Sequence, residues 1–138
     1  LKMKITQIWF DSDFIYGKDD AGNQYQQSLL WYPNLKDADE KARQNYTFGF
    51  AGIHWRELNE DISFESFLYP DAIPTELQRF FLSHKEINVA EFAKRIGINP
   101  TLLRNYINGF KTPSKQRTEQ IIKGIKELGE ELLSAFEE

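Results

Sequence analysis

Between Asn88 and Ser114 the chain reads NVAEFAKRIGINPTLLRNYINGFKTPS, and several unrelated stereochemical rules agree across this stretch. Ala93 stands one helical turn before Gly97, where only a small side chain lets a second helix pass closely. Gly97 follows the last residue of the first helix, the position where a left-handed backbone costs glycine least. Asn88 is placed to cap that helix, with Glu91 three residues later as the other half of a capping box. Asn99 caps the next helix, and Pro100 takes its first position, where a missing N–H costs nothing. Phe92, Ile96, Ile98, Leu103 and Tyr106 or Ile107 supply a shared core. The expectation is a helix-turn-helix, with helices over Val89–Ile96 and Pro100–Asn108.

The surface left over is suited to a DNA groove. Asn99, Thr101, Arg104, Asn105 and Asn108 should point outward from the second helix as base contacts. An Arg can bridge guanine O6 and N7, an Asn can pair with adenine N6 and N7, and a Thr methyl can touch thymine. Lys111, Thr112, Ser114, Lys115 and Arg117 follow around the start of the next helix. Their charges, hydroxyls and free backbone N–H groups are expected to hold phosphates, with Lys85 and Lys94 adding backbone contacts. Phe110 is open to two readings, a core contact or an exposed apolar anchor.

The charge distribution points the same way. The chain as a whole carries a net charge of −4. Residues 1–71 hold 7 Lys/Arg against 12 Asp/Glu, net −5, whereas residues 79–126 hold 10 basic residues against Glu86, Glu91 and Glu119, net +7. Such asymmetry between parts of one chain is what a nucleic-acid partner for the basic part predicts. Cysteine is absent from the 138 residues, which excludes disulfides, thiolate metal sites and cysteine nucleophiles. No charged-then-apolar leader occurs, and no apolar run nears the ~18 residues of a membrane span. A soluble cytoplasmic protein without membrane contact is expected.

Up to about residue 70 the pattern alternates and is rich in aromatics. Strands are expected at Ile5–Phe10 and Phe14–Tyr16, a hairpin turn at Asp19–Asn23 and a strand over Gln24–Leu30. A helix is expected over Pro33–Gln44, with Leu35, Ala38 and Ala42 as its apolar stripe. A strand at Tyr46–Phe50, which Ile53–Trp55 extends or ends, precedes a short helix at Ser63–Leu68 capped by Ser63. Two prolines make Tyr69–Pro74 a hinge. Helices at Thr75–His84 and Ser114–Phe136 flank the motif. The fold class is therefore α+β: a small antiparallel-sheet domain over residues 1–70, then an all-α helix-turn-helix domain over residues 71–138.

Two resemblances add to this reading. Residues 88–128 resemble the Cro/cI-repressor (XRE) type of helix-turn-helix, through Glu91-Phe92-Ala93-Lys94-Arg95-Ile96-Gly97-Ile98, Asn105-Tyr106-Ile107-Asn108-Gly109 and Pro113-Ser114. That resemblance implies sequence-specific binding of double-stranded DNA, usually as a homodimer on an inverted repeat. Phe110 departs from it, since members often carry a polar or basic residue there. Residues 3–70 resemble the bacterial domain-of-unknown-function family 2442, through the run Gly52-Ile53-His54-Trp55-Arg56-Glu57-Leu58-Asn59-Glu60-Asp61-Ile62-Ser63. This second resemblance implies a module found alone, beside a small toxin as an antitoxin, or fused to a helix-turn-helix. It brings no established activity.

An enzyme is not expected. Glu57, Glu60 and Asp61 cluster beside His54, and a carboxylate–imidazole group can in principle bind metal or move protons. A polar turn before a capped helix accounts for them as well. Asp11, Asp13, Asp19 and Asp20 read as turn residues, because a calcium loop's glycine and final glutamate are misplaced. His84 ends a helix, and no phosphate loop or zinc pattern exists. No catalytic residue, metal or cofactor is expected. Two functions remain. One is a DNA-binding transcriptional regulator whose N-terminal half dimerises, senses or binds a toxin. The other is an antitoxin-like interaction factor whose acidic half masks a basic partner, with regulation of its own operon as an added role. Leu128, Leu132, Leu133 and Phe136 continue the last helix's apolar spacing beyond its core contacts and are candidates for a dimer seam.

Overall fold

Alternating apolar residues in the first thirty positions build an antiparallel meander of β1 (Ile5–Phe10), β2 (Phe14–Asp19) and β3 (Gln24–Ser28), in that order. In this computed structural model, residues 3–70 and 72–137 are described; Leu1, Lys2, Glu138 and Asp71, which falls in the expected hinge, lie outside them. Trp9 faces Tyr16 across β1 and β2, and Tyr16 faces Gln26 across β2 and β3. The turn closes on Asp19, a buried carboxylate that accepts from the backbone of Ala21 (3.0 Å) and Asn23 (2.8 Å) and from the Tyr25 hydroxyl (2.9 Å). Gly22 takes the left-handed conformation at φ +88°. Asp19 thus serves as a turn residue, and Asp11 likewise, accepting from the N–H groups of Asp13 and Phe14.

Burial pushes the Asp19 carboxyl up, but the Asn23 backbone and amide, the Tyr25 hydroxyl and the Ala21 N–H outweigh it and hold it below its ordinary value. The folded state therefore binds that proton less tightly than the unfolded chain. The contribution is complete above the unfolded value of ~4 and is lost as pH falls through the folded one. Asp19→Asn is expected to remove part of the pH dependence of acid unfolding below about pH 4, followed by tryptophan fluorescence. An unaltered acid profile would reject this role. Asp11, held down chiefly by the Tyr16 hydroxyl at 2.5 Å, leaves a residual dependence.

The strand expected to run to Leu30 stops at Ser28, whose hydroxyl accepts from the Leu30 N–H and starts a 3-10 turn over Leu29–Trp31. The single helix expected over Pro33–Gln44 is two: α1 (Pro33–Lys36) and α2 (Glu40–Gln44). Asp39 explains the break, because its carboxylate caps a new helix at the Ala42 N–H (2.8 Å). Of the supposed stripe only Leu35 is buried. Ile53–Trp55 does not extend the preceding strand but folds back on it. β4 (Thr47–Phe48), β5 (Gly52–Trp55) and β6 (Glu60–Ser63) form a second three-stranded antiparallel sheet. Ser63 is therefore the end of a strand, though its hydroxyl still accepts from Ser66 N–H at the 3-10 turn Glu65–Leu68. Gly52 is required by close approach, since a Cβ there would lie 2.6 Å from the Ile62 carbonyl oxygen. Ile5, Ile15, Leu29, Leu35, Ile53, Trp55 and Ile62 make the core of this unit.

Contacts divide the chain into two units, 1–74 and 75–138. The second holds α3 (Glu76–Ser83), α4 (Val89–Arg95), α5 (Pro100–Ile107) and α6 (Lys115–Ser134). Its core joins Leu77, Phe81, Phe92, Ala93, Ile98, Leu103, Tyr106, Ile107 and Ile121. The reciprocal capping box sits at α3, where Thr75 and Gln78 exchange side-chain-to-backbone bonds of 3.2 and 2.8 Å. At α4 only half of the expected box forms. Asn88 accepts from the Glu91 N–H, while the Glu91 carboxylate turns to Lys94. Among the described residues no helix is long and apolar enough to cross a membrane.

Candidate nucleic-acid interface

The α4–α5 connection is fixed by backbone chemistry before any side chain is considered. Gly97 lies at φ +76°, with the Ile98 N–H donating to the Ala93 carbonyl at 2.9 Å to close the turn. Ala93 is fully buried, as its place one turn before the glycine requires. From behind, α5 is held by Leu103, Tyr106 and Ile107, all buried. The buried Gln78 amide donates to the Tyr106 carbonyl at 3.1 Å and ties the end of α5 to α3. Neither this bond nor the capping box belonged to the sequence reading, although the Thr75-x-x-Gln78 spacing carries the second. Gly124 was also missed. A Cβ there would collide with the Ile96 side chain, so α6 crosses α4 where a glycine interrupts its apolar stripe.

The opposite face of α5 is polar. Thr101, Arg104 and Asn108 are exposed and Asn105 is half-buried. Their spacing of three, four and seven residues puts them in one stripe along the helix. Asn99 differs from the other expected base contacts: its side-chain oxygen accepts from the N–H groups of Thr101 (2.8 Å) and Leu102 (3.3 Å). Only its amide N–H groups remain for another partner. Asn105 has two roles, since its backbone carbonyl receives the N–H groups of Phe110 and Lys111 while its side chain sits on the stripe.

Of the expected phosphate contacts, Lys111, Thr112, Ser114 and Lys115 are exposed in and just beyond the α5–α6 connection, and Arg117 is half-buried on the first turn of α6. Ser114 caps α6 by accepting from the Arg117 N–H at 3.1 Å, which leaves its hydroxyl proton free to donate. Arg117 reaches Gln120 at 3.4 Å. Lys94 lies on the last turn of α4, 3.5 Å from Glu91, and Lys85 is exposed in the α3–α4 connection. Arg104, Lys85, Lys111 and Lys115 form no ion pair among the described residues. Phe110 is settled as exposed, at 79%.

The first unit carries the other group singled out in the sequence. His54 Nδ1 lies 2.6 Å from Asp61 Oδ1 across the β5–β6 pair, on a solvent-facing side. Glu57 and Glu60 do not complete a ligand set, and among the described residues no three potential metal ligands converge. Burial pushes the Glu60 carboxyl up. The run from Gly52 to Ser63 is thus a hairpin: Ile53, Trp55 and Ile62 point into the core, His54 and Asp61 point out, and Asn59 turns the chain at φ +51°. The family model described as "Protein of unknown function (DUF2442)" matches residues 5–73, which hold this hairpin and both sheets. The chain belongs to that family. The DUF2442 match stops at the end of the first unit and leaves α3–α6 outside it. No curated protein and no solved structure matches the chain.

Proposed function

We propose that this DUF2442 protein is a sequence-specific DNA-binding transcriptional regulator of the Cro/cI-repressor helix-turn-helix type. It binds double-stranded DNA in the cytoplasm as a homodimer, with α5 in the major groove. The observation that carries this reading is the open stripe of Thr101, Arg104, Asn105 and Asn108 on a helix fixed from behind by Leu103, Tyr106 and Ile107. The net charge of +7 over residues 79–126 supports it, because phosphate neutralisation supplies a large share of the affinity of such complexes. Arg104→Ala is expected to weaken binding to a preferred sequence by ~1–3 kcal/mol and to relax preference at one position. Lys115→Ala should weaken all sequences alike and reduce the salt slope by about one. Unchanged affinity in both variants, measured on duplexes selected from a random pool, would remove the groove model.

The homodimer rests on α6. Its first half packs inward through Ile121 and Gly124, but Leu132, Leu133 and Phe136 are exposed, Phe136 at 96%. An apolar seam of this kind suits a second copy of the helix. Removing residues 130–138 is expected to give a monomer by light scattering with α3–α5 intact; a persisting dimer would place the interface elsewhere. A second reading, an antitoxin-like factor, is favoured by the first unit. Met3, Phe50, Ala51, Phe64 and Leu68, with Ser63 and Glu65, line a groove of about 440 Å³ in a region of net charge −5. An apolar groove within an acidic surface suits a basic protein partner. Enrichment of an inverted repeat from the random pool supports the regulator, and absence of any enrichment supports the interaction factor.

A further inference from the structure

Phe110 has no place in the groove model as it stands. It is 79% exposed, and the other strongly exposed apolar side chains described in its unit lie at the C-terminal end of α6, Leu132 and Leu133, and just beyond it, Phe136. Its exposure is not that of a loose loop. The Phe110 and Lys111 N–H groups both donate to the Asn105 carbonyl, at 2.9 and 3.2 Å, and Gly109 takes φ +84° to make this possible. The ring is therefore held out by the same residue whose side chain sits on the polar stripe of α5. Lys111 and Thr112, both exposed, follow it directly.

Dimensions decide where such a ring goes. The eight residues of α5 span ~12 Å, about the width of a major groove. On a groove-bound α5, Phe110 falls between Asn108, the last residue of the stripe, and Lys111, placed at the phosphates, which puts the ring at the groove rim beside the outermost base edge. That edge offers one apolar group, the C5-methyl of thymine, and the faces of the neighbouring deoxyribose. We propose that Phe110 is a specificity-determining residue whose ring packs on a thymine methyl at the outer edge of the site, extending the readout of α5 by one base pair. This inference rests on the reading of α5 as the groove-entering helix.

The test compares the full chain with Phe110→Ala, Phe110→Leu and Arg104→Ala on a duplex selected from a random pool. The same duplex carrying uracil in place of the outer thymine, and an unrelated duplex, complete the set. Wild-type selection should enrich thymine at one flanking position. Replacing that thymine by uracil, which removes only the methyl, should weaken wild-type binding about 3- to 10-fold. Phe110→Ala should lose about as much or more on the thymine duplex and be indifferent to uracil, while its affinity for the unrelated duplex stays within about twofold. Phe110→Leu should keep part of the thymine preference. Three results overturn the proposal: equal loss on every duplex, no thymine preference in the wild type, or a Phe110→Ala protein whose oligomeric state changes, which would assign the ring to a second copy. If Arg104→Ala relaxes specificity and Phe110→Ala does not, the Phe110 inference falls while the groove model stands. If the wild type enriches no sequence, both fall.

Discussion

Trp55→Ala is expected to lower the unfolding free energy of the first unit by ~3–5 kcal/mol, the range for removing a large buried aromatic. Trp55 is fully buried on β5, with Tyr46 at 5.7 Å and Phe10 at 6.3 Å between ring centroids. Its indole N–H donates to the Arg43 carbonyl at 2.8 Å, so truncation leaves a cavity and also an acceptor without its donor. Trp55→Phe separates the two effects. It keeps most of the apolar volume and loses the donor, and should cost about 1–2 kcal/mol. Urea denaturation followed by tryptophan fluorescence reads this cleanly, because Trp9, Trp31 and Trp55 all lie in the first unit. Trp9 and Trp31 remain as probes in both variants. A loss below ~1 kcal/mol for Trp55→Ala, outside the range for buried aromatics, would mean that the hairpin is not anchored through this ring.

The same neighbourhood shows where sequence reasoning ran out. The strand Ile5–Phe10, the start of β3 at Gln24 and the turn at Gly22 follow from alternation and turn chemistry and are legible, whereas the end of β3 at Ser28 is not. The run from Pro33 to Gln44 was not, because Asp39 competes for the backbone more effectively than Leu35, Ala38 and Ala42 hold a continuous helix together. Local capping won over a weak apolar stripe. Arg43 gave no signal either. Its guanidinium donates to the carbonyls of Leu35, Asp11 and Lys36 at 2.9, 3.1 and 3.1 Å and lies over the Phe10 ring. An arginine spent on main-chain carbonyls of two separate segments, the β1–β2 turn and α1, has no spacing to betray it. The short helix expected over Ser63–Leu68 forms as a 3-10 turn at Glu65–Leu68, but the strand Glu60–Ser63 before it gave no signal. Only Ile62 is buried there, and one inward side chain is too little for an alternation pattern.

The second unit was far more legible, since its determinants are local. Glycine at Gly97, caps at Asn88, Asn99 and Ser114, and apolar spacing each act within one or two helical turns. What escaped were the tertiary ties between helices: Gln78 to Tyr106, Gln120 to Ile96 at 3.0 Å, and the Arg95–Glu131 ion pair. The first ties α5 to α3, and the other two join α6 to the end of α4. The proposed interface thus divides into an outward stripe and an inward apolar core, both readable by spacing, and polar ties between helices readable only in three dimensions.

Leu103 tests that division. It is fully buried on the inner face of α5, one residue before Arg104 on the outer face. Leu103→Ala is expected to destabilise the second unit by ~2–5 kcal/mol, through lost transfer energy and the cavity left among Phe92, Ala93, Ile98 and Ile121. Small domains have only ~5–15 kcal/mol in all, so the helical signal should show a markedly lower urea midpoint. Tryptophan fluorescence reports the first unit and supplies the contrast. The groove model adds a second requirement. At low temperature and without denaturant, where folded Leu103→Ala still dominates, affinity for a selected duplex should stay within about threefold of wild type, because the stripe is intact. Arg104→Ala should do the reverse, leaving the midpoint nearly unchanged and weakening binding. If Leu103→Ala destroys sequence preference while the unit remains folded, recognition depends on fine positioning of α5 by its core. If Arg104→Ala lowers the midpoint as far as Leu103→Ala, the outward stripe is part of the scaffold and the groove model fails.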